Sequence, residues 1–170
     1  MKNILVTGGV GFIGTNLITE LVKLGHNVIS IDDYSAGLKT NEIESAKYVH
    51  LDIESINKID SDIDLCFHLA AKSRVQPSFK DPTEYFRVNV HGTMKVMEWA
   101  KKNNVKVIYA GSSSRHHNPS DSPYSMYKFL GEEVCKLYKK AYSVNVEIAR
   151  FYNVYGPYES LDEEHGNVIG

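Results

Sequence analysis

Three evenly spaced glycines, Gly8, Gly11 and Gly14, come directly after the apolar run Ile4-Leu5-Val6. So short an apolar run reads as a buried strand. Behind the glycines, Ile13, Leu17, Leu21 and Leu24 recur at helical spacing, and Gly25 stands where a helix C-cap belongs. Strand, glycine turn and helix together form a cradle for a pyrophosphate. Gly8 permits the tight turn, Gly11 lets the backbone approach the phosphates, and Gly14 lets the helix pack close to the strand. The helix start adds unpaired N–H groups and about half a unit of positive charge. A glycine triplet alone is weak evidence, because a loop can need glycine for its own sake. The context here is stronger. A second strand, Val28-Ile29-Ser30-Ile31, ends at Asp32, about 20 residues on, where an acid meets the hydroxyls of an adenosine ribose. The opening stretch is therefore read as a dinucleotide site.

Apolar runs alternate with helical patterns along the rest of the chain. Candidate strands lie at 3–7, 27–32, 47–51, 63–69, 105–111 and 145–151. Candidate helices lie at 12–24, 37–45, 83–103 and 125–142, with a weak short one near 54–60. Strands separated by helices imply right-handed crossovers and a parallel sheet covered on both faces, an α/β doubly wound fold of the Rossmann type. The 170 residues suffice for one domain with a sizeable core. A net charge of −2 makes no case for nucleic acid or an anionic membrane as partner. No apolar run approaches membrane-spanning length. Met1-Lys2 leads straight into the first strand, so no signal peptide is expected. Cys66 and Cys135 stand far from any metal-ligand spacing and read as buried free thiols, consistent with a cytoplasmic protein. The late acidic run Asp162-Glu163-Glu164-His165 reads as a solvated loop rather than a metal site, so no metal is expected.

Helix 83–103 carries two apolar faces, Phe86, Val90, Met97 and Ala100 on one and Tyr85, Val88, Val96 and Trp99 on the other. A helix lying outside a sheet needs only one such stripe. The second is expected to meet helix 125–142, with its Tyr127, Leu130, Val134, Tyr138 and Ala141, either within the chain or across a homodimer interface built from both helices.

A second constellation is Tyr124-Ser125-Met126-Tyr127-Lys128. Tyrosine and lysine at i, i+4 lie on the same side of a helix, one turn apart. A phenol with an ordinary pKa of about 10 is a poor base at neutral pH. An ammonium within a few ångströms favours the phenolate. Tyr124 is thus a candidate acid/base for oxidation of an alcohol to a ketone, with Lys128 as its partner. The serines Ser112, Ser113 and Ser114 come just after the strand Val107-Ile108-Tyr109-Ala110. Ligands sit outside the carboxyl ends of strands in such sheets, so a hydroxyl here is placed to bond both a substrate oxygen and the Tyr124 phenol.

These motifs resemble the extended short-chain dehydrogenase/reductase family, of the nucleotide-sugar epimerase/dehydratase kind, UDP-glucose 4-epimerase-like in pattern. The matching residues run nearly end to end: Thr7 through Gly14, Asp32-Asp33, Asp52-Ile53, His68-Leu69-Ala70-Ala71, Val75 with Ser78 and Asp81-Pro82, Asn89-Val90-His91-Gly92-Thr93, Tyr124 with Lys128, and Arg150 through Pro157. The resemblance implies NAD as cofactor. Gly8, Gly11, Phe12, Ile13 and Gly14 would hold its pyrophosphate. Asp32 would bind the adenosine ribose, disfavouring the 2′-phosphate of NADP, with Asp33 and the loop Tyr34, Ser35, Ala36 and Gly37 beside it. Asp52 and Ile53 would flank the adenine, and Leu69, Ala70 and Ala71 would line the cofactor. Asn89 would support the cofactor-side hydrogen-bond network. Lys128 would also bond the nicotinamide ribose. Tyr152 would lie near the nicotinamide, and Asn153 near the diphosphate of a nucleotide-sugar substrate. His68 reads as structural rather than as a base.

The chain departs from the family pattern in three places. The element after the serines is Arg115-His116-His117-Asn118-Pro119 and the tyrosine arrives early, which leaves Ser112 and Ser113 both open as the catalytic serine. Strand register favours Ser113. Residues 111–118 contain no carboxylate, which argues for epimerisation at C4, or simple oxidation and reduction, over dehydration. The region that closes over the sugar in the family is largely absent, 152–170 being its beginning, so residues 1–170 are expected to form an NAD-binding domain. Two alternatives stand beside the epimerase reading: an NAD-binding module without independent catalysis, or a nucleotide-sugar dehydratase or reductase.

Overall fold

The computed structural model describes residues 1–60 and 62–159. Six strands form one parallel sheet in the order β3-β2-β1-β4-β5-β6. They are β1 (Asn3–Thr7), β2 (Asn27–Asp32), β3 (Lys47–His50), β4 (Leu65–His68), β5 (Lys106–Ser112) and β6 (Val146–Phe151). The chain winds outward from β1 to β3, returns, and winds the other way from β4 to β6. The order therefore reverses between β1 and β4, where such sheets open a crevice at their carboxyl ends.

Alternation along β1 divides the core. Leu5 joins Cys66, Val107, Trp99 and Tyr138 on one side of the sheet, while Ile4 and Val6 join Ile18, Leu21 and Val28 on the other. Helix α1 (Phe12–Lys23) covers the second side. The first is covered by α4 (Thr93–Asn103) and α5 (Pro123–Tyr142), reached through the short helices α2 (Val75–Lys80) and α3 (Pro82–Phe86).

Cover on α1's side is incomplete among the described residues. Beside α1, the sheet face of β4 to β6 forms an apolar groove of ≈ 450 Å³ that includes Phe67, Ile108, Ala149 and Phe151. The expectation of helices on both faces thus holds in full for β1 and β2 and only in part for β4 to β6.

All six expected strands are present, with ends within about two residues. The helices differ more. The expected helix 37–45 is a single 3-10 turn, Lys39–Asn41. Its flanks are bound elsewhere: Asn41 Nδ2 donates to the Val10 carbonyl at 3.0 Å, and Tyr48 Oη accepts from Ile43 N–H at 3.1 Å. The weak helix near 54–60 is a 3-10 segment, Ile53–Lys58. Helix 83–103 is helical throughout, but Arg87–Gly92 winds as a π-helix between α3 and α4. The wider turn rotates α4 relative to α3, so Met97 and Ala100 share the buried side with Val96 and Trp99, and Phe86 is left 47% exposed. The two apolar faces expected for this helix are therefore not two continuous stripes. Across to α5, Phe86 meets Tyr127 edge to face, and Tyr138 Oη donates to Glu98 at 2.5 Å.

Candidate functional site

A cleft of ≈ 1060 Å³ opens at the carboxyl ends of the strands, above the reversal between β1 and β4. The glycine turn forms its floor. Gly8 has φ +74°, and a Cβ there would lie 2.8 Å from Ala70 N. A Cβ on Gly14 would lie 2.2 Å from the Gly8 carbonyl oxygen, so the close approach of α1 to β1 depends on glycine. The first backbone bond of α1 runs from Thr15 N–H to Gly11 O at 2.9 Å. The amides of Phe12, Ile13 and Gly14 precede it and have no carbonyl one turn back to meet. No side chain caps this end and no acid occupies the first turn, which leaves the helix start to an anionic group. Gly8, Gly11, Phe12, Ile13 and Gly14 all line the cleft.

Asp32 closes β2 on the same wall. Its Oδ2 accepts from Val10 N–H at 3.1 Å and its Oδ1 from Tyr34 N–H at 2.8 Å. Each oxygen keeps a further lone pair for a hydroxyl donor. Burial raises the carboxyl, the two backbone bonds pull it back, and the net position lies above the usual carboxylate range. In Asp33 burial also raises the carboxyl, but the bonds from Ser35 outweigh it and the group lies lower than usual. Asp33, Ser35, Gly37 and Ile53 line the cleft, as do Leu69, Ala70 and Ala71 on the β4 side.

Three residues read as cofactor contacts have their side chains committed elsewhere. Tyr34, at φ 60°, donates its hydroxyl to Glu42 at 2.6 Å and serves Asp32 only through its backbone. Asp52 caps Glu54 N–H at 2.8 Å and pairs with Arg87 at 2.9 Å, which anchors the turn that carries Ile53. Asn89 is buried in the π segment, where its amide takes Lys72 N–H at 2.8 Å and gives to Lys72 O at 2.9 Å. It thus holds the wall just beyond Ala71.

His68 is buried and structural, in line with the sequence reading. Thr7 Oγ1 accepts from Ala70 N–H at 3.1 Å, so its own proton is directed to His68 Nδ1 at 2.8 Å. Thr93 Oγ1 donates to Asn89 O at 2.8 Å and hence accepts from His68 Nε2–H at 3.1 Å. The Thr93 bond puts a proton on Nε2 and the Thr7 bond leaves Nδ1 without one, so together they fit the neutral Nε2–H tautomer. Burial, helped by the Lys128 charge, brings its pKa down to about 3.

The opposite end of the cleft joins β5 to α5. Ser122 caps α5 by accepting from Ser125 N–H at 3.1 Å, and Pro123 opens the helix. Tyr124 stands in the first turn and donates to Ser112 Oγ at 3.3 Å. Ser113 also lines the cleft, but it begins the 3-10 turn Ser113–His116. The structure therefore corrects the register preference: Ser112, not Ser113, faces the phenol. Alternation along β5 explains the arrangement. Ala110 and Ser112 point one way, while Gly111 faces Glu132, whose Oε1 would lie 2.7 Å from a Cβ at that position. Glu132 is 1% exposed and holds Arg150 through Nε at 3.0 Å and Nη2 at 2.9 Å.

Lys128 is buried, with Nζ donating to Ala110 O at 2.6 Å and lying 4.9 Å from the Tyr109 ring centroid. Burial lowers its pKa to about 8 against the opposing pull of Cys135 and Glu132. Tyr152 and Asn153 line the far rim, where the Tyr152 ring stacks with His116 at 6.2 Å. The acidic run Asp162 to His165 lies outside the described residues. Lys72 joins the site without a sequence motif of its own, and Ser78, from the motif that starts at Val75, supports it. Lys72, next to Ala71 in the chain, donates from Nζ to Ser35 Oγ at 3.0 Å on the cleft rim. Ser78, completely buried, accepts from Tyr124 N–H at 3.2 Å.

Similarity to known proteins agrees with this site. A family model described as the NAD dependent epimerase/dehydratase family matches residues 4–170. A putative UDP-glucose 4-epimerase of Methanocaldococcus jannaschii is 33% identical over 183 residues, covering 96% of this chain and 59% of that protein. A UDP-N-acetyl-alpha-D-glucosaminuronate decarboxylase of Bacillus cytotoxicus is 32% identical, covering 99% of this chain and 59% of its own length. The crystal structure of the Bordetella bronchiseptica enzyme WbmF in complex with NAD+ and UDP superposes with a TM-score of 0.86 at 32% identity, over 98% of this chain and 52% of that one. The chain thus spans about three-fifths of the length of the curated relatives it matches. The glycine cradle, Asp32 at the end of β2, and Tyr124 and Lys128 on the same cleft fit NAD, and the chain belongs to the NAD dependent epimerase/dehydratase family.

Proposed function

We propose that this chain forms the cofactor half of a nucleotide-sugar epimerase that works at C4 through a transient keto sugar. The observation that carries the reading is the convergence of Tyr124, Ser112 and Lys128 on the cleft that also holds the glycine cradle and Asp32. Bound NAD would supply the hydride acceptor and donor. Tyr124 takes the proton of the sugar hydroxyl and returns it when the ketone is reduced on its other face. Ser112 orients the reacting oxygen. The Lys128 ammonium spends one N–H on Ala110 O and keeps two for other partners, while its charge favours the phenolate. Asn153 serves the substrate diphosphate, and Tyr152 the nicotinamide side.

A second reading, elimination as in a dehydratase, is supported by Asp121, a carboxylate on the cleft wall. Incubation with NAD and UDP-, GDP- or dTDP-sugars, with products monitored by NMR, tests both. A C4 epimer, lost in Tyr124→Phe, is expected. A 4-keto-6-deoxy product supports elimination instead. Binding of NAD with no sugar turned over reduces the chain to a cofactor-binding module.

We also propose a homodimer through helices 83–103 and 125–142, as Phe86 and Leu137 are 47% and 56% exposed on adjacent helices. Sedimentation of Phe86→Glu/Leu137→Glu tests it: the native chain should sediment as a dimer and the variant as a monomer.

A further inference from the structure

Tyr124, Lys128 and Glu132 stand four residues apart along α5 and so share one stripe of the helix. That stripe lies along the end of β5, and each of the three meets a different strand residue. Lys128 Nζ donates to Ala110 O at 2.6 Å, and Tyr124 Oη donates to Ser112 Oγ at 3.3 Å. Glu132 meets the residue between, Gly111, where a Cβ would sit 2.7 Å from its Oε1. Glu132 is almost fully buried, yet no step of the proposed reaction uses it.

Its carboxylate ties together the segments that carry the reacting groups. Gly111 pairs with Arg150 across β5 and β6. Arg150 donates to both oxygens of Glu132, from Nε to Oε1 at 3.0 Å and from Nη2 to Oε2 at 2.9 Å. A fork of two donors fixes direction as well as distance. Two residues beyond Arg150 the chain reaches Tyr152, and then Asn153. Arg115, in the turn just after Ser112, approaches Oε2 to 3.8 Å. Helix α5 and the ends of β5 and β6 are thus all referred to one buried carboxylate.

The fold alone does not call for this arrangement. Burying a carboxylate is costly, and a well-packed apolar pair of similar volume is often as stable or more so. Further along the same helix, Cys135 and Tyr138 meet the core without a charge. Gly111 is a strand residue without a positive φ. Its missing side chain therefore serves the space that Glu132, Ile148 and Arg150 fill rather than the backbone. The charge also acts on Lys128. Burial lowers the lysine, and Cys135 and Glu132 oppose it. Burial pushes the Cys135 thiol up to about 12, so Glu132 is the charged one of the two at neutral pH. Tyr109 on β5 and the neutral His68 on β4 face the same ammonium.

Building on the epimerase reading above, we propose that Glu132 is a positioning residue of that reaction. Clamped by Arg150 over Gly111, it holds α5 in register with the ends of β5 and β6, so that Tyr124 stays on Ser112 and Lys128 on Ala110.

Glu132→Gln and the apolar double variant Glu132→Leu/Arg150→Met test this beside the native chain. Three quantities are read: NAD affinity, turnover of UDP-glucose, and the titration of Lys128 by NMR of Cε-labelled lysine in the NAD-loaded protein. NAD affinity should stay native in both variants, which shows the fold intact. The value of kcat should fall about tenfold or more with KM little changed, since a small misplacement of reacting groups carries a loss of that order. Lys128 should lose its proton below its native midpoint of about 8, because the neighbouring negative charge is gone. A role confined to stability would move neither. Native turnover with a native Lys128 titration in either folded variant overturns the proposal. So does loss of NAD binding in both, which assigns the pair to the fold alone. If the native chain turns over no sugar, the epimerase reading falls; an unshifted Lys128 in the variants then overturns the role of Glu132 as well, and a lowered midpoint keeps its hold on Lys128.

Discussion

Tyr124 donates its phenol to Ser112 Oγ across 3.3 Å, joining the first turn of α5 to the last residue of β5. Ser113, one residue further, has already entered a 3-10 turn. This register separates the two hydroxyls functionally. Ser112→Ala should lower turnover about a hundredfold, in the range for losing one oriented hydrogen-bond partner of a reacting group. Ser113→Ala should stay within a few-fold of the native rate. Initial rates of sugar interconversion at saturating NAD check the pair.

Lys128 trades stability for chemistry. Its pKa falls to about 8 because burial disfavours the ammonium. Between pH 8 and the unfolded value of about 10.5 the unfolded chain binds more protons, so this group's contribution to stability rises with pH there. Below pH 8 its full cost is present. Lys128→Met should therefore stabilise the fold at pH 7, by roughly 1–3 kcal/mol, while turnover is lost. Urea unfolding at pH 7 and pH 10 should show the gain shrinking at the higher pH.

His68 has the corresponding effect on the acid side. Its Nδ1 accepts from Thr7 while Nε2–H donates to Thr93, the pattern of neutral imidazole, and its folded pKa is about 3. As pH falls below about 6.5 the unfolded chain takes up a proton that the folded chain refuses, so stability falls. The decline between pH 6.5 and 5, above the range where most carboxylates titrate, should flatten in His68→Gln. Melting temperatures across that interval give the slope.

Glu132 is an almost fully buried carboxylate held by Arg150. Arg115 approaches it only to 3.8 Å. Arg150→Ala should destabilise the fold, because the buried Glu132 carboxylate then keeps only the more distant Arg115 as a cationic partner. The double variant Arg150→Met/Glu132→Leu should recover much of that loss in chemical denaturation.

The parts of the fold legible in the sequence are those written in local pattern. Gly8, Gly14 and Asp32 carry their geometry in residue type and spacing, and all lie on the cleft as expected. Other residues depend on information from outside their own segment. Nothing near Asn89 announces a π turn, so the face of Met97 cannot be assigned from a 3.6-residue period. Asp52 and Tyr34 stand beside cleft residues in sequence, yet Arg87 and Glu42 draw their side chains away. Helix α2 has no pattern to reveal it, since its six residues include Pro77 and show no repeating stripe. The choice between Ser112 and Ser113 needs the exact end of β5, and strand ends are the least certain part of any pattern reading.

The central claim is that these residues build a cleft for NAD, with Asp32 set against a 2′-phosphate. Calorimetric titration of the chain with NAD and with NADP tests it most directly. One site per chain for NAD is expected, with at least about tenfold weaker binding of NADP because its 2′-phosphate would face the half-buried Asp32 carboxylate, and loss of this preference in Asp32→Ala. Equal affinity for both cofactors, or no binding of NAD, would contradict it.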